Sequence, residues 1–152
     1  MTRTFLLAAT LLAIVVGGGA LAQTGTIVLT PDQVKWGAAK GMPAGWQAAV
    51  LAGDPNKRGP YVERVKLPPN GVVPPHTHPE AENITVLAGS FGIGEGTVAD
   101  KSKGRVLTAG SFYHLPANTP HYAWAGPDGA EVQIHGVGPT GIKMLQSSAR
   151  SY

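Results

Sequence analysis

The 152-residue sequence contains no cysteine, which excludes disulfide bonds, thiolate metal ligands and a cysteine nucleophile. Charged residues are also scarce, at 14% of the chain, and the formal net charge is only +3. Because the lysines and arginines are scattered along the chain, we expect no nucleic-acid partner. The sequence also lacks G-x-S-x-G, so it offers no serine elbow of the α/β-hydrolase type. The core must therefore hold without disulfide bonds, and a bound metal could help.

Apolar residues form a long run only near the N-terminus. A basic start at residues 1–3 precedes an apolar run at residues 5–16, and Ala-Leu-Ala follows at residues 20–22. This order is typical of a secretory signal peptide. A membrane anchor is the alternative, but the run is shorter than the roughly 20 residues that a span needs. We therefore expect a signal peptide at residues 1–22, one domain at residues 23–152, and an exported protein, periplasmic or secreted, that keeps no stable membrane anchor after processing.

Short apolar runs separated by Gly, Pro, Asn and Asp fill the rest of the chain. This pattern predicts an all-β sandwich or barrel. The N-terminal sequence Thr30-Pro-Asp-Gln33 resembles a capping box, which favours a short helix, or a turn before a strand. The candidate strands are residues 47–51, 61–67, 72–78, 83–87, 91–94, 105–107, 111–115, 121–125, 131–135 and 142–145.

Two histidines and a glutamate lie close together in the sequence HTHPEAE. His76 and His78 would point to the same face of a strand, because side chains alternate with a period of two. Glu82 follows after a break at Pro79, and His121 lies far downstream. Neutral imidazole and carboxylate groups bind divalent transition metals. The alternative is that these are ordinary polar residues at a strand edge.

The surroundings of these four residues resemble the two motifs of the cupin superfamily. The first stretch is Gly71-VVPP-His76-T-His78-PEA-Glu82-NITVLA-Gly89, and the second is Gly110-SFYHL-Pro116-A-Asn118-TP-His121. The chain departs from the pattern in three places. Gly71 stands four rather than five residues before His76, Asn118 replaces a glycine, and Ala125 replaces a frequent asparagine. Asn118 can still adopt the left-handed backbone that a glycine would provide.

The resemblance implies a jelly-roll β-barrel in which His76, His78, Glu82 and His121 hold one metal. Three histidines and one glutamate leave one or two coordination positions open for chemistry. The family favours iron or manganese, whereas the affinity order of such a site favours copper or zinc for a protein that acquires metal outside the cytoplasm. Iron, manganese, zinc and copper therefore all remain candidates.

Further polar residues are candidates for the surroundings of the metal. Glu80 could act beside Glu82 or lie in solvent, and His114, Gln133 and His135 could line a pocket or lie on the surface. Alternation along the strand that begins at His121 would place Ala123 on the metal side. Tyr122 and Trp124 would then face away, into a core or a subunit contact.

The sequence leaves two functional classes open. One is a metal-dependent, dioxygenase-like enzyme that acts on a small organic molecule, with Glu82 as a catalytic base. The other is a non-catalytic protein that binds a small ligand or the metal itself. A sugar isomerase is disfavoured because no cluster of Lys and Arg accompanies the motifs. Barrels of this family often pair through a sheet edge, so a homodimer is also expected.

Overall fold

The computed structural model describes residues 25–145, so the predicted signal peptide at residues 1–22 lies outside the described residues. Within the described range, no helix has the length and apolar character needed to cross a membrane. Residues 25–145 form two 3-10 helices, Pro31–Gln33 and Lys101–Lys103. The same residues form nine strands: β1 Gly37–Ala38, β2 Gln47–Ala52, β3 Gly59–Leu67, β4 Val72–Thr77, β5 Glu82–Glu95, β6 Arg105–Thr108, β7 Phe112–Leu115, β8 His121–Gly138 and β9 Lys143–Met144.

The strands form one curled antiparallel sheet, which confirms the predicted all-β jelly-roll barrel. The order β1-β2-β3-β8-β4-β9 runs along one path, and β5 pairs with β6, β7 and β8. The first part of β8 pairs with β4 and its later part with β3, while β5 pairs along much of its length. The long strands β5 and β8 therefore join the two halves of the barrel and bring both predicted motifs to its interior.

Each of the two long strands combines two of the predicted ones. The expected runs at residues 83–87 and 91–94 join as β5, because bulges beside Gly89 bend the strand without ending it. Gly89 has a φ of 70°, a conformation that glycine adopts at little cost. The runs at residues 121–125 and 131–135 join in the same way as β8.

Alternating side chains of the strands form the core. Burying a valine, isoleucine or phenylalanine side chain contributes roughly 1.5–3 kcal/mol, so the barrel holds without cross-links. The buried cluster comprises Trp46, Leu67, Val73, Ile84, Val86, Phe91, Ile93, Ala123, Ala125, Ala130 and Val132.

The N-terminal helix is a single 3-10 turn, in agreement with the expected short helix. The Thr30 amide donates to Gln33 Oε1 at 2.9 Å, as a capping box requires. The Thr30 hydroxyl instead donates to Asp32 Oδ1 at 2.6 Å. The two-residue strand β1 was not predicted, because it is too short to carry an alternating pattern.

Tyr122 and Trp124 pack on the outer face of β8, beneath the segment that contains the second 3-10 helix. The Tyr122 hydroxyl donates to the carbonyl oxygen of Asp100 at 2.6 Å. A side chain at Gly92 would overlap the Trp124 ring, and one at Gly94 would overlap Tyr122. These glycines therefore make room for the two aromatic rings. The segment at Asp100 and Lys101 of the same chain contacts both rings.

Candidate metal centre

Two neighbouring strands carry the predicted histidines into the barrel. In the antiparallel pair of β4 and β8, His76 lies opposite His121. The register of β4 shifts between Val73 and His76, where two consecutive prolines stand. A bulge of this kind changes which face the following side chains occupy. As a result Val73, His76 and His78 all line the interior cavity.

The three histidines converge closely enough to share one ion. One ring nitrogen from each of His76, His78 and His121 lies within 4.8 Å of the other two. The ring centroids are 4.9 Å apart for His76 and His78, 4.0 Å for His76 and His121, and 5.2 Å for His78 and His121. His76 and His121 are only 3% and 2% exposed. The structure therefore brings together three of the four predicted ligands as a compact donor group, in which His76 and His121 are buried and His78 is partly buried.

Main-chain carbonyl groups fix the protonation pattern of the three rings. Nδ1 of each ring lies within hydrogen-bond distance of a carbonyl oxygen: 2.7 Å for His76 and Pro74, 2.8 Å for His78 and Gly141, and 3.0 Å for His121 and Thr119. A carbonyl oxygen only accepts hydrogen bonds, so each Nδ1 carries the proton and donates it. Nε2 of each ring is then left with a free lone pair, which is the arrangement of a metal-ligating histidine.

Burial also keeps the imidazoles neutral. Burial and, to a lesser extent, the neighbouring His121 lower the pKa of His76 to about 4. Burial likewise lowers the pKa of His78 and of His121. Because only neutral imidazole binds a metal, the three side chains are ready for coordination at neutral pH.

Glu82 lies beside the histidine group at the start of β5. Its side chain lines the cavity, the residue is 6% exposed, and Oε2 is 3.4 Å from His78 Nε2. Burial raises the pKa of Glu82 to about 7. The carboxylate is not part of the group whose ligand atoms lie within 4.8 Å of one another. It is nevertheless the adjacent oxygen donor, and it holds a proton more strongly than an ordinary glutamate.

This donor set fits a first-row divalent metal. Three neutral imidazole nitrogens with one neighbouring carboxylate suit iron, manganese, copper or zinc. An ion held by them would keep one or two coordination positions open, where it would polarise a bound oxygen atom or lower the pKa of bound water. His76, His78 and His121 would hold the ion, with Glu82 as the fourth donor.

The turn before His121 helps to hold the two motifs together. Asn118 has a φ of 59°, the left-handed conformation expected where asparagine replaces glycine. Its amide donates to the carbonyl oxygen of His78 at 2.8 Å. The turn is therefore tied directly to the chain segment that carries the first two histidines.

The histidines open onto an interior cavity of about 470 Å³. Apart from the four predicted ligands, its polar lining residues are Lys40, Asn56 and Glu63. Sequence reasoning missed Glu63. Every second side chain of β3 lies on the same face, at Tyr61, Glu63, Val65 and Leu67. A glutamate among these otherwise apolar positions was the signal that could have revealed it.

Two predicted pocket residues on β8 lie outside the cavity. Val132 and Ile134 line it, so the intervening Gln133 and the following His135 point to the other face of the strand. There Gln133 Oε1 accepts a hydrogen bond from Arg64 Nε at 3.0 Å. Gln133 Nε2 lies 3.1 Å from His135 Nε2, so the two residues form an outer polar pair.

Glu80 and His114 also lie away from the cavity lining. Both are exposed. His114 Nδ1 lies 2.9 Å from the side-chain oxygen of Asn83. Because Glu82 faces inward, its neighbour Asn83 faces outward, and His114 is paired opposite Asn83 on β7. The same alternation that buries Glu82 therefore excludes His114 from the metal centre.

Known proteins resemble this chain in sequence and in fold. A family model described as "Cupin domain" matches residues 63–134. Germin-like protein 5-1 of Oryza sativa subsp. japonica is 35% identical over 68 residues, which cover 44% of this chain and 31% of that protein. The match thus spans about a third of the relative's length.

Solved structures show the same fold. The polyketide cyclase RemF from Streptomyces resistomycificus has a TM-score of 0.67 at 20% identity, covering 82% of this chain and 89% of that one. A structure described as oxalate oxidase has a TM-score of 0.53 at 26% identity, covering 72% and 60% of the two chains. The family model, the germin-like relatives and the shared barrel agree with the two sequence motifs, and the chain belongs to the cupin superfamily.

Proposed function

We propose that this cupin holds one divalent transition metal and catalyses a dioxygenase-like reaction on a small organic molecule. The observation that carries the proposal is the convergence of three histidines at an interior cavity, with one ring nitrogen of each within 4.8 Å of the other two. Each ring is oriented by a main-chain carbonyl. Glu82 is the proposed fourth ligand.

The residues around the ion have distinct proposed roles. A bound metal would polarise an oxygen of the substrate or of O2. His76, His78 and His121 position that ion. Glu82, the proposed catalytic residue, would leave the ion when the substrate binds, accept a proton from the substrate hydroxyl and hold it inside the cavity.

Similarity to a known enzyme gives limited further support. The oxalate oxidase structure is 26% identical, so its oxidative reaction suggests redox chemistry for this chain as well. The RemF structure, which is only 20% identical in sequence, supports the fold alone. Export through the signal peptide at residues 1–22, action in the periplasm or outside the cell, and a homodimer complete the proposal.

Metal analysis followed by oxygen uptake tests the proposal. The protein is purified in its exported form, its metal content is measured, and oxygen consumption is followed with catechols, flavonols, diketones and oxalate. One equivalent of a redox-active metal with substrate-dependent oxygen uptake is expected. Stoichiometric zinc without turnover would contradict the oxygenase and would favour a non-catalytic ligand-binding cupin. Glu82→Ala should abolish this oxygen uptake, whereas its matched control Asn83→Ala, on the outer face beside Glu82, should retain it.

A further inference from the structure

We propose that the substrate is a compact, largely apolar molecule bearing a hydroxyl or enol group, and that Glu63 and the apolar walls select it over a small dicarboxylate. This inference rests on the proposed function, because the metal would bind the substrate oxygen. It goes further by naming the chemical class that the remainder of the cavity accepts.

The first argument is the composition of the cavity wall. Beyond the metal ligands, a cavity of about 470 Å³ is lined mainly by aliphatic and aromatic side chains, including Val65, Ile84, Phe91, Ile93, Val132 and Ile134. Pockets of this size accommodate ligands much larger than two carbons, and apolar walls gain from burying apolar ligand surface. A small dicarboxylate would instead leave these walls in contact with water.

The second argument is the charge of the lining. Lys40 is the single lysine or arginine among the lining residues that the structure describes, and it is exposed. The interior carries the carboxyl groups of Glu63 and Glu82. A dianion in the cavity would therefore lie near two carboxyl groups, with only the metal ion and one exposed lysine to offset the negative charge.

The third argument is the position of Glu63. It lies opposite Ile134 of β8, and Ile134 lies opposite Ile84 of β5, two residues from Glu82. Glu63 therefore faces the cavity from the neighbouring wall, close to the metal centre and outside the ligand set. A carboxyl group there can accept a hydrogen bond from a substrate hydroxyl and repel a second carboxylate.

Calorimetric titration of zinc-loaded protein tests the preference, since zinc is redox-inert and does not catalyse oxidation of the probes. The probes are 4-tert-butylcatechol, catechol and oxalate, with metal content measured before and after each titration. We expect 4-tert-butylcatechol to bind at least about tenfold more tightly than catechol, because its added carbons enter the apolar cavity. We expect oxalate to bind most weakly. Oxalate binding as tightly as 4-tert-butylcatechol would overturn the proposal.

Variants test whether the apolar wall and Glu63 cause the preference for the apolar probe over oxalate. Val50→Asp places a charge at a 50% exposed lining position and should remove most of the advantage of the tert-butyl group. Its control, Val106→Asp, lies outside the lining at a 62% exposed position and should leave that advantage intact. Glu63→Gln should strengthen oxalate binding several-fold, whereas Glu131→Gln, also outside the lining, should not. Equal effects of either variant and its control would contradict the assignment.

A metal-free comparison separates this inference from the proposed function. Phenol and 4-tert-butylphenol are titrated into metal-free protein, where the same preference for the larger probe is expected. If the protein binds no zinc but keeps this preference, the metal proposal fails and the apolar cavity stands. If it binds zinc without any preference for the larger probes, the substrate class proposed above is wrong.

Discussion

Glu82→Gln should stabilise the metal-free protein at alkaline pH. Burial raises the pKa of Glu82 from an ordinary value of 4.5 to about 7. A carboxyl group whose pKa is higher in the folded state gives stability that is fully present below the unfolded pKa and is lost as the pH rises through the folded one. At about 1.36 kcal/mol for each tenfold change in proton affinity, this loss amounts to about 3 kcal/mol. Glutamine has a similar shape and stays neutral, so the variant avoids the loss.

Urea unfolding between about pH 4.5 and pH 8.5 measures the effect. The variant and the wild type should have similar free energies of unfolding at the acidic end, and the variant should be more stable by about 3 kcal/mol at the alkaline end. Burial of the histidines has the opposite effect on the pH dependence of stability. Their pKa values are lowered, so stability is lost as the pH falls from the ordinary value of 6.5 through the lowered values. That loss is common to both proteins and cancels in the difference.

The matched control and the metal-loaded protein make the test decisive. Glu80→Gln changes an exposed carboxyl group two residues away and should leave the unfolding free energy nearly unchanged at every pH. With metal bound, the order should reverse, because Glu82 is then a ligand and Glu82→Gln removes it. A metal-free Glu82→Gln variant that is less stable than the wild type at about pH 8.5, or a difference independent of pH, would refute the reasoning.

Three further predictions follow from the same structure. His78→Ala should abolish metal binding in equilibrium dialysis, whereas His114→Ala should retain it; full occupancy in the first variant would disprove the ligand assignment. Metal affinity of the wild type should fall about tenfold per pH unit below pH 7, because the metal must displace the proton of Glu82, and this slope should be reduced in Glu82→Gln. Gly92→Ala should lower the free energy of unfolding by roughly 1–3 kcal/mol because the added carbon overlaps the indole above it. Gly37→Ala, where nothing lies within 4 Å, should change it much less, and equal effects would contradict the packing argument.

The spacing of ligand types carried most of the site information in the sequence. The two-residue period that places His76 and His78 on one face survives the bulge, because the bulge precedes both residues. The resemblance to the second cupin motif implied that His121 joins the other two histidines, and the structure places it opposite His76. The resemblance of the two motifs to those of the cupin superfamily was therefore enough to predict which histidines meet.

Other features depend on where strands bend and which neighbours they meet. The bulges beside Gly89 allow β5 to continue through what resembles a turn, so predicted boundaries failed there. Gln133 and His135 were candidates for the pocket because the sequence alone does not show which face of this strand points inward. The structure shows that Val132 and Ile134 occupy the inward face. Glu63 was missed because its importance arises from β3 lying beside β8, a long-range pairing.

Anomalous diffraction from crystals of the metal-loaded protein, collected at the absorption edge of the bound metal, tests the central claim most directly. We predict one strong peak per chain within about 2.0–2.3 Å of Nε2 of His76, His78 and His121, with each Nδ1 still bonded to its main-chain carbonyl. A peak outside this cavity, or coordination through Nδ1, would contradict the account.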